Sequence, residues 1–287
     1  MKTRQHRKNW QRSSADAERE KAGDGDAESY LLFFDSIDAE AYLGTIKSGD
    51  EVLFIVAGGD PISGISLSLL EIIKNYSPQS KFFQPFSSNI FGDSKNKSQN
   101  EKEKFSPQSI YAIGKVTAFH ACELYKKIFN LKIYGAIFYN HESEIRPEEY
   151  VTRKITKSVA RIYYGKQKKL RLGNIKTKID WGYAKEYVQA AHTIMLQKKP
   201  DFFVIGSGKT YSIEYFVKKC FEYVGLNYKK YVVIDKKLFR PSNTTTLKAN
   251  IKKAKKIINF NIKTNINQLI KIMMDNDLKL QKRSNEN

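Results

Sequence analysis

The stretch KFFQPFSSNIFG, residues 81–92, governs how the rest of the chain is read. Its opening, Lys81–Phe86, is an apolar, aromatic-rich run bounded by serines and predicts a β-strand. Ser87 follows at the C-terminal end of that strand, the edge at which open α/β sheets bind ligands. Comparable runs occur on either side, at Leu31–Phe34, Val52–Val56, Lys132–Phe138 and Phe202–Ile205. Between them the period is helical. Leu67, Leu70 and Ile73 mark one helix; Ile113, Val116, Phe119 and Tyr125 a second; Phe216, Cys220, Tyr223 and Val224 a third. Strands alternating with helices predict an α/β fold with a parallel sheet covered on both faces. Pro85 is unusual inside a central strand, because it brings no N–H to the ladder. Ser94–Ser106 is polar and reads as a surface loop. Ile251, Ala254, Ile257 and Ile258 predict a short helix, and Leu269, Ile270 and Met273 another. The last ten residues are polar, which predicts a frayed end.

Composition narrows the class. The chain has 287 residues, 41% hydrophobic and 13% aromatic, which is globular rather than disordered. No apolar run is long enough to span a bilayer, so no membrane partner is expected. The charged N-terminus has no apolar core of a secretory signal. Cys122 and Cys220 form neither a disulfide framework nor a metal-ligand spacing, and a cytoplasmic setting is expected. The formal net charge of +20 is uneven: residues 1–150 carry 19 Lys/Arg against 21 Asp/Glu, and residues 151–287 carry 31 against 9. A basic half suits an anionic partner, either nucleic acid or a nucleotide diphosphate. Charge alone supports nucleic acid, and no recognisable nucleic-acid module accompanies it. Most of these lysines read as solvated surface.

Two features carry chemistry. Tyr111 and Lys115 stand at i and i+4, so a helix sets phenol and ammonium side by side. A neighbouring ammonium favours the phenolate, and the expectation is a lowered Tyr111 pKa and an acid/base usable near neutrality. The second feature is Ser87, a hydroxyl at a strand end 24 residues before Tyr111, placed to hydrogen-bond a substrate.

Further along, specific blocks follow in order. Tyr139-Asn140-His141-Glu142-Ser143 precedes Arg146 and Tyr150-Val151-Thr152-Arg153-Lys154-Ile155-Thr156. Leu172-Gly173-Asn174 and Asp180-Trp181-Gly182-Tyr183-Ala184-Lys185-Glu186-Tyr187-Val188 come next, then Phe203-Val204-Ile205, Tyr211-Ser212, Phe239-Arg240-Pro241 and Lys253-Ala254-Lys255. In content and order these resemble the GDP-mannose 4,6-dehydratase family of short-chain dehydrogenases, over roughly Asp50 to Leu278.

The resemblance implies a Rossmann-like parallel sheet with a smaller C-terminal substrate-binding domain. It divides the chain into a poorly matched segment 1–29, a partial NADP-binding domain 30–145 and a mainly substrate-binding region 146–287. It implies that the C4 position of a GDP-sugar is oxidised with NADP⁺, water is eliminated across C5 and C6, and the hydride returns to C6. Tyr111 would be the acid/base, Lys115 its partner and Ser87 the assisting hydroxyl. Arg12, Ser13 and Ser14 resemble the family's grip on the NADP 2′-phosphate, and Asp35 and Ser36 its adenine turn. Ile55, Val56, Ala57, Gly58 and Gly59 match a further cofactor segment, and His141 and Arg146 match dinucleotide contacts. Asn140, Val151, Arg153, Lys154 and Arg240 would surround GDP-mannose or a related GDP-sugar. A homo-oligomer, or a hetero-oligomer with an intact paralogue, is expected.

The chain also departs from the family pattern. Asn89 stands where the family has the glutamate that removes the C5 proton, and an amide does not accept a proton as a carboxylate does. Ser143-Glu144-Ile145-Arg146 replaces Ser-Pro-Arg-Arg, and Ile179 stands where an arginine is expected. No strand–Gly-rich turn–helix opens the fold, so the sheet is expected without its first strand and that turn. Four readings stay open: a dehydratase, a catalytically impaired relative or partner subunit, a nucleotide-sugar reductase or epimerase, and a basic nucleic-acid binder.

Overall fold

The computed structural model describes residues 30–34, 52–56, 64–239 and 246–286. In chain order the elements are β1 (Tyr30–Phe34), β2 (Val52–Val56), α1 (Gly64–Tyr76), β3 (Lys81–Ser87), α2 (Ile110–Ile128), β4 (Lys132–Phe138), β5 (Asn140–Glu142) and α3 (Val151–Tyr163). They continue as β6 (Leu170–Leu172), β7 (Lys178–Ile179), β8 (Trp181–Tyr183), α4 (Ala184–Met195), β9 (Phe202–Ile205), β10 (Tyr211–Ser212), α5 (Ile213–Tyr223), β11 (Val232–Ile234), α6 (Lys252–Ile258) and α7 (Ile266–Glu286).

One parallel sheet runs β1-β2-β3-β4-β9, so every predicted strand takes a place in it. β3 and β4 pair along seven residues, Lys81↔Lys132 to Ser87↔Phe138. The ladder between β2 and β3 is shorter and ends at Ile55↔Phe83. Pro85 therefore sits beyond that ladder, where a missing N–H interrupts nothing on the β2 side. Its carbonyl instead accepts from Gln84 and Lys115.

The helices form where periodicity places them, with a shifted inner face. Leu69, Leu70 and Ile73 are buried on α1, while Leu67 is exposed. On α2 the buried side is Ala112, Ala118, Phe119, Ala121 and Cys122, and Ile113 faces solvent. Of the four residues that marked this helix, Phe119 is buried and Val116 and Tyr125 pack against the core, and only Ile113 misled. The terminal helix α7 runs through Glu286, where polar composition predicts fraying.

Two hydrophobic clusters result. The first surrounds the sheet and includes Phe82, Phe83, Phe86, Phe119, Ile137 and Phe203. The second joins α3, α5 and α7 through Ile155, Val159, Phe216, Phe221, Leu269 and Met273, with Trp181 of β8. The edge strand β9 is closed by side chains: Val204 N–H donates to Glu101 at 2.8 Å, and Lys253 donates to the Phe202 carbonyl at 2.7 Å. Side chains that cover an edge in this way block pairing with another chain.

The segment Ser94–Ser106 is more firmly built than a polar surface loop. Gln99 is fully buried, and its side chain accepts from Tyr139 and Lys248 N–H, both at 2.9 Å. Its backbone bridges to Ala249. At the loop's entrance Gly92 has φ +49°, and a Cβ there would lie 1.6 Å from the Ser106 carbonyl oxygen. No described helix is long and apolar enough to cross a membrane.

Candidate active site

The C-terminal end of β3 meets the first turns of α2. Ser109 caps α2, accepting from Ala112 N–H, and this fixes where Tyr111 and Lys115 project. Tyr111 stands close enough to Ser87 for the serine hydroxyl to lower its pKa, and Ser87 accepts from Asn89 N–H at 3.2 Å. The buried Lys115 places Nζ 5.8 Å from the Tyr111 ring centroid and donates to the Pro85 carbonyl at 3.3 Å. The Ser–Tyr–Lys arrangement expected from spacing is therefore assembled around the end of β3.

Its electrostatics differ from expectation. The Tyr111 pKa is raised, not lowered: burial dominates, the Ser87 hydrogen bond opposes it, and Tyr150 and Arg146 act with opposite signs. Lys115 donates to a backbone carbonyl and lies over the Tyr111 ring, and Arg146 is a cation that lowers the phenol's pKa against its burial. Asn89 is exposed in the short 3-10 turn Ser88–Phe91 that follows β3.

The β5–α3 segment supplies the opposite wall. His141 Nδ1 lies 3.0 Å from the Tyr139 carbonyl oxygen, and its ring packs on Phe138 and Tyr187. A carbonyl only accepts, so Nδ1 carries the hydrogen and the neutral ring keeps its lone pair on Nε2. Burial lowers the His141 pKa, the Tyr139 carbonyl opposes this, and nearby Arg146 adds to the lowering. Arg146 Nε stands 3.5 Å from the buried Glu142 carboxylate, an ion pair without a hydrogen bond. The guanidinium lies 3.5 Å from the Tyr150 ring centroid. Glu142 accepts from Thr152 at 2.6 Å; burial raises its pKa, against the pull of Arg146 and Thr152.

The remaining assigned residues are placed as follows. Asn140 is exposed on β5, Val151 and Lys154 are half-buried at the start of α3, and Ile55 and Val56 end β2. Arg153, given a substrate contact by resemblance, is buried and bonded into the fold. Its Nε lies 3.0 Å from both Asp277 oxygens, and NH1 donates to the carbonyls of Glu144 and Arg146. Arg12, Ser13, Ser14, Asp35, Ser36, Ala57, Gly58, Gly59 and Arg240 lie outside the described residues. Among the described residues no His/Cys/Asp/Glu group has metal-binding geometry.

Sequence reasoning left the supporting residues unassigned. Asp180 is fully buried and accepts from Ser207 N–H and Oγ, Gly208 N–H and Ala249 N–H, at 2.6–3.0 Å. It ties β8 to the turn after β9 and to the segment before α6. Gly182 beside it leaves room for Tyr187, whose ring would meet a Cβ at 2.4 Å. These contacts give the Asp-Trp-Gly block a structural meaning that spacing did not disclose.

A parallel sheet carrying Ser, Tyr and Lys at its C-terminal edge defines a Rossmann-type short-chain dehydrogenase fold. The solved structure of RMD from Pseudomonas aeruginosa complexed with NADPH shares that fold, with a TM-score of 0.72 at 16% identity, over 80% of this chain and 81% of that one. Sequence comparison gives the particular family. The model for GDP-mannose 4,6 dehydratase matches residues 64–273, and this chain belongs to that family. It is 39% identical over 228 residues to GDP-mannose 4,6 dehydratase 1 of Arabidopsis thaliana, covering 78% of this chain. It is 35% identical over 231 residues to the Dictyostelium discoideum GDP-mannose 4,6 dehydratase, covering 74%. The matches span 63% and 65% of those relatives' own length.

Proposed function

We propose that the chain acts on GDP-mannose or a closely related GDP-sugar with NADP, as a 4,6-dehydratase-like protein. The observation that carries this reading is the convergence of Ser87, Tyr111 and Lys115 at the end of β3 in a chain of this family. The described residues suit the cofactor. Tyr111 and Lys115 offer a hydroxyl and an ammonium, and Arg146 brings a partly exposed guanidinium that Glu142 pairs from its buried side. Bound there, the dinucleotide would supply a hydride acceptor and later a hydride donor.

Everything else falls to the chain. Tyr111 takes a proton from the C4 hydroxyl as hydride leaves C4, and the Ser87 hydroxyl beside the phenol orients that substrate hydroxyl. Because burial holds Tyr111 in its phenol form, the base form grows with pH. C4 oxidation should therefore rise steadily through pH 7 to 9, and Tyr111→Phe should lower it by roughly 10²–10⁴-fold.

Asn89 favours a second reading. Elimination needs a carboxylate for the C5 proton, and an exposed amide occupies that place. Redox chemistry without elimination, in a reductase or epimerase, or a supporting role beside an intact subunit, fits this residue. The test is incubation with GDP-mannose and NADP⁺ and mass analysis of the sugar nucleotide. A product lighter by one water supports the dehydratase. A product two hydrogens lighter with an equivalent of NADPH formed, or an isomer of unchanged mass resolved by chromatography, supports the redox reading. Unaltered GDP-mannose that nevertheless binds supports the partner-subunit reading.

A further inference from the structure

Arg146 is held from two sides by residues to which no role is given above. Its side chain faces Glu142 at 3.5 Å and lies over the Tyr150 ring at 3.5 Å. Glu142 is only 3% exposed and is itself fixed by Thr152 Oγ1, a fully buried hydroxyl 2.6 Å away. From below, the Arg146 and Glu144 carbonyls accept from Arg153, and the Glu144 carbonyl also accepts from Asn276 at 3.0 Å. Asp277 locks Arg153 in turn. A long, flexible arginine on a surface loop would otherwise sample many rotamers, and fixing it costs entropy. Here that cost is met in the fold, before any anion arrives. The Nε–H is buried against Glu142 without a hydrogen bond, while the side chain as a whole keeps 23% of its surface exposed.

We infer that Glu142 and Thr152 are positioning residues that, with the Tyr150 ring, aim the Arg146 guanidinium at a phosphate oxygen of the dinucleotide. This rests on the cofactor reading above for its ligand, though not for its geometry. The preset fork suits phosphate, since guanidinium offers donors in a fixed plane and preorganisation raises affinity. Glu142 also partly neutralises Arg146, and that effect alone would oppose an anion. The two roles therefore predict opposite signs. If Glu142 acts as a charge, Glu142→Gln tightens binding; if it acts as a mooring, the same change weakens it. Thr152→Val leaves every charge in place and loosens only the mooring.

The experiment has two arms on the full chain. In the first, arginine Nε–H signals are followed by NMR without cofactor, with Arg146→Met assigning the resonance. Slow exchange in the wild type, lost in Glu142→Gln and Thr152→Val, is expected. A signal that stays protected in both variants overturns the mooring whatever the cofactor does. In the second, NADP⁺ dissociation constants are measured. Each single variant should bind at least five-fold more weakly, Arg146→Met should set the limit, and adding either change to Arg146→Met should have no further effect. Additive losses, or tighter binding by Glu142→Gln, would overturn the inference. If the wild type binds no NADP⁺, the cofactor reading fails, and the NMR arm alone decides the mooring.

Discussion

At the scale of single residues, burial sets the protonation of the site. His141 has a pKa below its usual 6.5 because the folded chain resists charging a buried ring. The unfolded chain takes up that proton near pH 6.5, so below this value the unfolded state holds more protons and stability falls with pH. Between pH 7.5 and 5.5 the wild type should lose more stability in urea denaturation than His141→Gln. The buried carboxylates titrate in both proteins and drop out of the difference. Equal losses would mean that the ring titrates freely. Asn89 gives the second prediction. It is exposed in a short turn, so Asn89→Glu should be tolerated and should restore a carboxylate two residues beyond Ser87. Dehydrated product should then rise by an order of magnitude or more if NADP⁺ binds. No gain despite bound cofactor would mean that proton removal at C5 is not the missing step. The Ser–Tyr–Lys set was legible because residue type and spacing alone define it. The sign of the Tyr111 shift was not, because it is set by burial of the phenol, which only the fold reveals.

Among the elements, strands were easier to read than helices. A buried parallel strand is a continuous apolar run, and all five strands of the main sheet show one. The helix α3 has an apolar stripe of Val151, Ile155, Val159 and Ile162, but its buried residues also include Thr152, Arg153, Thr156 and Ser158. Those buried polar residues must find partners inside, and α3 finds them on α7 and β5: Arg153 pairs with Asp277 at 2.8 Å, and Thr152 bonds to Glu142. Removing one member of a buried ion pair strands the other, at a cost of roughly 3–5 kcal/mol. Asp277→Ala should therefore lower the urea-derived stability by about that amount. The double variant Arg153→Met, Asp277→Leu should recover a large part of it, because apolar replacements leave no buried charge. A double variant as unstable as the single would show that the Arg153 bonds to the β5–α3 carbonyls matter more than its ion pair. The same logic explains why the polar segment Ser94–Ser106 misled: Gln99 is a buried polar residue, and its burial is visible only once Tyr139 and Lys248 are brought to it.

Over the whole molecule, charge is the property that no single contact explains. The chain carries a formal +20, with the excess in residues 151–287. Pairs such as Lys271–Asp275, Lys176–Glu214 and Lys219–Glu222 are close but lie on the surface. Exposed pairs of this kind add little to stability and are screened by salt. The unmatched positive charges repel one another in the compact state, and that repulsion is screened too. Raising ionic strength from 0.01 to 0.1 M shortens the screening length from about 30 Å to about 10 Å. Because the basic half carries 31 Lys/Arg against 9 Asp/Glu, relief of repulsion should outweigh the weakening of pairs. The Tm should then rise with sodium chloride, and a falling Tm would show that local ion pairs govern stability. GDP separates this general effect from a site. At matched ionic strength, a ligand that binds only the folded chain adds RT ln(1 + [L]/Kd) to stability. A further rise with GDP that sodium chloride does not reproduce would mark the basic half as holding a nucleotide diphosphate; identical curves would leave its lysines as solvated surface.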